Sequence, residues 1–244
     1  MPSPNPAVAT ILELVGVETF YGASQILFGV DLHVSRGEIV TIMGRNGMGK
    51  TTMLRSIMGL TPARNGTIRF DGHEIGRLAS YEIARRGIGY VPEGRQVFPT
   101  LTVRENLVAT AANRSGTTNA WTVGRVFDLF PRLGERAGQL GATLSGGEQQ
   151  MLTIGRALMT NPVFIILDEA TEGLAPLIRE EIWSCLENNL RAAGQAILVV
   201  DKHPEAMARV ADRHYVMERG QIVWTGNSAD LLADVEMQQR YLGV

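Results

Sequence analysis

The chain has 244 residues, 45% of them hydrophobic and 20% charged, with a formal net charge of −2; that suits one large globular domain, or a domain with a subdomain, and gives no global field favouring nucleic acid or anionic lipid. No stretch approaches the roughly 18 consecutive apolar residues of a membrane-spanning helix, and Met1-Pro2-Ser3-Pro4-Asn5-Pro6 lacks the basic flank and apolar core of a secretory signal. The single cysteine, Cys185, has no intrachain partner and fits a reducing cytoplasm.

Residues 1–10, with three prolines, read as a flexible arm. Leu12–Val17 and Ile26–Val34 alternate as strands do, and Glu38–Met43 is a further apolar strand. A glycine-rich loop follows, then a helix through Met53, Leu54, Ile57 and Met58. Thr67–Phe70 is a strand closed by the turn Asp71-Gly72. From about Gly94 to Met159 the pattern is mostly helical, broken by the polar stretch Asn113–Asn119. The last third alternates: strand Val163–Leu167, helix around Ile178–Leu190, strand Ala196–Val200, then a hairpin of Tyr215–Met217 and Ile222–Trp224. Strands alternating with helices predict a parallel sheet covered on both faces.

Gly44-Arg45-Asn46-Gly47-Met48-Gly49-Lys50-Thr51 fits G-x-x-x-x-G-K-[ST] between an apolar strand and an amphipathic helix. Side-chain-free positions let amide groups converge on phosphate oxygens, and the helix start adds positive potential. Lys50 would reach the β- and γ-phosphates, and Thr51 would give its hydroxyl to Mg²⁺.

Val163-Phe164-Ile165-Ile166-Leu167 ends in Asp168-Glu169. Ligands of open α/β sheets bind at the carboxyl ends of strands, so these acids are predicted to face the phosphate loop. Asp168 suits the metal; Glu169 suits the general base that polarises the attacking water.

Leu144-Ser145-Gly146-Gly147-Glu148-Gln149-Gln150 opens a helical stripe. Ser145 with Glu148 is a capping box. Two bare glycines also leave a helix start open to an anion. Local physics allows both.

Phosphate loop, Leu-Ser-Gly-Gly-Glu-Gln-Gln and a Leu-Asp-Glu strand end, in this order, resemble the ATP-binding subunit of an ABC transporter from about residue 11 to the end. Val91-Pro92-Glu93-Gly94-Arg95, Gly173-Leu174-Ala175-Pro176 and Tyr241-Leu242-Gly243 are most similar to the shorter ATPase of branched-chain amino-acid importers, with urea and amide importers close behind. The resemblance implies a P-loop NTPase three-layer α/β core, an antiparallel β subdomain and a helical subdomain at about 94–158. It also implies ATP and Mg²⁺ as cofactors and a head-to-tail dimer with a second such ATPase, a heterodimer before a homodimer. In that dimer Tyr21, Gly44, Arg45, Asn46, Gly47, Met48, Gly49, Lys50, Thr51 and Thr52 of one subunit and Ser145, Gly146, Gly147 and Glu148 of the other clamp the nucleotide, with Tyr21 stacked on adenine. Thr51, Glu93 and Asp168 serve the metal. By the same resemblance Glu93–Leu107 would carry the signal to transmembrane permease subunits at the cytoplasmic face of the membrane, with an extracytoplasmic binding protein as an indirect partner.

This chain departs from the pattern in three places. The switch histidine normally lies ten residues before an Asp-Arg pair; ten before Asp212 is Lys202, with His203 next. Either could serve, His203 only if the loop slips by one residue. Ala170 stands where proline usually follows the catalytic glutamate, and Ala175 where an aspartate usually crosses the dimer interface.

Two other functions compete with the importer ATPase. A soluble ABC-type ATPase acting on nucleic acid or the ribosome would carry a long coiled-coil insertion or a second cassette. Only 94 residues separate Thr51 from Ser145, and one cassette is present, so no nucleic-acid partner is expected. A catalytically weak regulatory subunit is the other alternative, kept open by Lys202. His33, His73 and His214 show no metal-ligand spacing, and Cys185 beside Trp183 reads as core.

Overall fold

The strands in chain order are β1 (Thr10–Tyr21), β2 (Ser24–Ser35), β3 (Ile39–Met43), β4 (Asn65–Phe70), β5 (His73–Glu74), β6 (Ile88–Val91), β7 (Phe164–Asp168), β8 (Ala196–Val200), β9 (Arg213–Glu218) and β10 (Gln221–Gly226). The α-helices among the described residues are α1 (Lys50–Ile57), α2 (Ser80–Arg85), α3 (Val103–Ala109), α4 (Val123–Leu129), α5 (Pro131–Glu135), α6 (Gly146–Leu158), α7 (Pro176–Cys185), α8 (Pro204–Val210), α9 (Ser228–Ala233) and α10 (Val235–Met237). This computed structural model describes residues 9–114, 116–201 and 203–243. Residues 1–8 of the expected arm therefore lie outside the described residues, and Thr10 already opens β1.

Two sheets form. An antiparallel one runs β2-β1-β4-β5, and a six-stranded one runs β10-β9-β3-β8-β7-β6. In the larger sheet β3 pairs in parallel with β8 and β9, and β7 with β6 and β8; only β10 is antiparallel. Every residue of β3, β7 and β8 is buried. The unbroken apolar run of β7 has a direct cause. Phe164 and Ile166 enter one core with Leu12, Leu14 and Met53, while Ile165 and Leu167 enter the other with Leu152, Ile182 and Trp183. A strand covered on both faces has no solvent side on which to place polar residues. Burying each such side chain stabilises the fold by roughly 1.5–3 kcal/mol.

The segment before Val91 holds two elements that periodicity had not marked, α2 and the sheet-edge strand β6. The helix expected around Ile178–Leu190 is α7 followed by one wide turn at Leu186–Leu190. Between 103 and 158 the chain contributes α3 to α6. His214 is fully buried, with Nδ1 2.6 Å from the Thr41 hydroxyl and Nε2 3.0 Å from that of Ser228. Burial lowers its pKa to about 4, so it is a neutral strut between β3, β9 and α9.

Candidate nucleotide-binding site

The glycine-rich loop leaves β3 at Gly44, where the chain runs against the carbonyl of Met217. A Cβ there would collide with that backbone oxygen, so the first glycine of the loop is fixed by close approach. The loop delivers Gly49 to the start of α1. That helix start has no side-chain cap and no acid in its first turn, so its free amides remain available to an anion. Lys50 is 4% exposed and folds back over the loop, donating to the carbonyls of Gly44 at 2.8 Å and Arg45 at 3.0 Å.

The carboxyl end of β7 brings the acids to the same place. Thr51 donates its hydroxyl to Asp168 Oδ1 at 3.3 Å, and Tyr90 donates to Oδ2 at 3.1 Å. Asp168 is completely buried, and burial raises its pKa, opposed by those two hydrogen bonds. Glu169 lies 3.7 Å from Lys50 Nζ and holds a left-handed backbone, φ 49°. Burial and the neighbouring Glu172 push its carboxyl up to about 7, the range useful for a proton acceptor near neutral pH. Carboxylate oxygens of Glu93, Glu169 and Glu172 all lie within 4.8 Å of one another. Asn46, Gly47, Gly49, Lys50, Thr51, Thr52, Glu93, Glu169 and Glu172 line one cleft of about 560 Å³. A hydroxyl beside carboxylates is a hard-oxygen donor set of the kind Mg²⁺ takes.

Other expected site residues stand elsewhere. Tyr21 is 46% exposed at the end of β1, and its phenol is held below the usual range chiefly by hydrogen bonding to Thr61. Ser145 caps α6: its hydroxyl accepts from the Glu148 amide at 3.4 Å, and the Glu148 carboxylate accepts from the Ser145 amide at 2.9 Å. Glu148 is also paired with Arg136 at 2.6 Å, so its charge is spent within the chain. Gly146 and Gly147 are backed by the Arg95 guanidinium and by Ile178. None of these four lines the phosphate-loop cleft. His203 does not line it either. Its Nδ1 lies 2.6 Å from Asp201 and its Nε2 3.1 Å from Arg179. Lys202 lies outside the described residues.

Residues 27–172 match the family model described as ABC transporter. The high-affinity branched-chain amino acid transport ATP-binding protein BraG of Pseudomonas aeruginosa is 44% identical over 227 residues, covering 93% of this chain and 97% of that protein. The chain belongs to the ABC transporter family. It is an ATP-binding subunit of that family. The lipopolysaccharide export system ATP-binding protein LptB of Escherichia coli is 33% identical over 225 residues, covering 91% of this chain and 93% of LptB. A nucleotide-free ATP-binding cassette from an ABC transporter superimposes with a TM-score of 0.82 at 27% identity, covering 95% of this chain and 97% of that one. A dimeric cassette bound to ADP and Pi superimposes at 0.77 with 26% identity, covering 89% and 99%.

Three residues of this ABC cassette escaped the sequence reading. Tyr90 and Glu172 enter the site through tertiary contact alone. Thr171 hands its hydroxyl to buried Asp201 at 2.6 Å, joining the segment after β7 to the end of β8. Ile88-Gly89-Tyr90-Val91 is too short to show a period, so no local signal exposed the first of them.

Proposed function

We propose that this subunit hydrolyses ATP to power an ABC importer for branched-chain amino acids or related small polar solutes. The convergence of Lys50, Asp168 and Glu169 at the uncapped start of α1 supports this reading most directly. Similarity to BraG supports the cargo class. In the proposed reaction the amides of residues 44–51 wrap the phosphate tail, and Lys50 gives up its carbonyl partners to meet the β- and γ-oxygens. Thr51 and Asp168, with Glu93 at the rim, would hold Mg²⁺, which would offset charge on the phosphates. Glu169 takes the proton of the attacking water, and Tyr21 stacks on the adenine. The protein mainly positions groups and stabilises charge.

The site is completed by a second cassette, whose helix start equivalent to Ser145-Gly146-Gly147 closes over the nucleotide; closure moves permease subunits at the cytoplasmic face of the membrane. No described helix is long and apolar enough to cross a membrane. The test is to recover the tagged chain from membranes, identify the proteins that accompany it, and screen the accompanying binding protein for ligand. Recovery with lipopolysaccharide-export components, ribosomes or DNA would overturn the import reading.

A second reading concerns the share of turnover. With His203 held by Asp201 and Arg179, and lysine at the expected switch position, the site on this chain's phosphate loop hydrolyses slowly and its paired site carries more. Single-turnover hydrolysis comparing Glu169→Gln with the equivalent change in the paired ATPase tests this; an equal or larger loss from Glu169→Gln overturns it.

A further inference from the structure

Three carboxylates crowd the cleft from two separate segments: Glu93 from the loop after β6, and Glu169 and Glu172 from the turn after β7. Glu169 also meets Lys50 Nζ at 3.7 Å, so the spacing between the Glu93 loop and the turn after β7 decides how the three acids face that lysine. Arg95 stands where a tether would set that spacing. It has a left-handed backbone, φ 51°, which a non-glycine residue keeps only when its surroundings enforce it. Its Nη2 donates to the carbonyl of Gly173 at 3.3 Å, one residue past Glu172. Its guanidinium also covers the bare Cα of Gly146, where any Cβ would displace it. Among the described residues it forms no ion pair, so the charge is not engaged elsewhere. The Arg95 carbonyl accepts from Val97 at 2.9 Å, which tightens the turn. Farther along, Arg156 donates to the Gln96 carbonyl and stacks on Phe98 at 4.0 Å.

We propose that Arg95 is a positioning residue for hydrolysis, tying the Glu93 loop to the Gly173 turn and to the start of α6 so that these segments hold one spacing around the nucleotide. The inference rests on the ATPase function proposed above. It assigns Arg95 no contact with nucleotide; the residue acts through Glu93, by fixing the distance of that loop from Glu169 and Glu172.

Two measurements test it. Hydrogen exchange on the isolated chain should show the Val97 amide, bonded to the Arg95 carbonyl, exchanging about tenfold faster in Arg95→Ala and within about threefold of the parent in Arg95→Lys, which keeps a donor for the Gly173 carbonyl. In the assembly recovered from membranes, Arg95→Ala should lower kcat at least about fivefold while KM for ATP stays within about twofold, with Arg95→Lys restoring most of kcat. A purely structural role would not produce that split or that rescue. Unchanged exchange in Arg95→Ala overturns the tether, and faster exchange with unchanged kcat overturns the positioning role. A parent assembly that hydrolyses no ATP overturns instead the function on which the role rests, an outcome separate from the exchange result.

Discussion

Two helices of this chain start among glycines, α1 after Gly49 and α6 at Gly146, yet they are finished differently. α1 starts bare, without cap or acid, with a buried lysine folded over its mouth. α6 starts closed: Ser145 and Glu148 satisfy each other's amides, and Arg136 neutralises the acid. One start is left incomplete so that an anion can complete it. The other is capped from within the chain at Ser145 and Glu148, so its shape is preformed, and the use proposed for it on a neighbour's nucleotide need not hold it together. A glycine-rich helix start therefore says little until its cap is known.

The contrast can be broken from several sides. Glu169→Gln should leave nucleotide binding at α1 intact while single-turnover hydrolysis there falls by about 10²- to 10⁴-fold, the usual share of a general base; a matching loss of binding would mean the cradle and the acid are not separable. Lys50→Ala should weaken Mg-ATP binding by about 100-fold in calorimetry, the loss of roughly 3 kcal/mol of charge-assisted hydrogen bonding. Ser145→Ala, at the other helix start, should lower unfolding stability by about 1 kcal/mol. In the isolated chain it should leave ATP affinity unchanged; reduced affinity would show that the two starts share one nucleotide within a single chain.

The smallest effect concerns acid. Hydrogen bonds from Ser145 and the charge of Arg136 outweigh burial and hold the Glu148 carboxyl below its usual 4.5. Its stabilising contribution is therefore present above about pH 4.5 and lost as pH falls through the lower folded value. Chemical denaturation across that window should show a slope that Glu148→Gln reduces, and no reduction would mean α6 is not held by this cap.

Much of this arrangement was legible in residue order because its signals are local. Glycine spacing marked the loop before α1, and an apolar run ending in Asp168-Glu169 marked the central strand. The Ser145/Glu148 cap was readable from a spacing of three. What stayed hidden depends on contacts across the chain. Tyr90 meets Asp168, and Arg95 meets Gly173, each across 78 residues. β6, only four residues long, is too short to display a period, so the strand that carries Tyr90 and launches the Glu93 loop left no clear trace. His203 could be placed near the end of β8 by counting, but the direction of its ring is set by Asp201 and Arg179.

The alternation of β7 between two cores has a mechanical consequence. Sliding Asp168 along the strand axis would unseat Phe164 and Ile166 on one side and Ile165 and Leu167 on the other at once. That rail behaves as an anvil. A shift of Asp168 along the strand is therefore costlier than a shift of the loops arriving from the sheet edge and from α6.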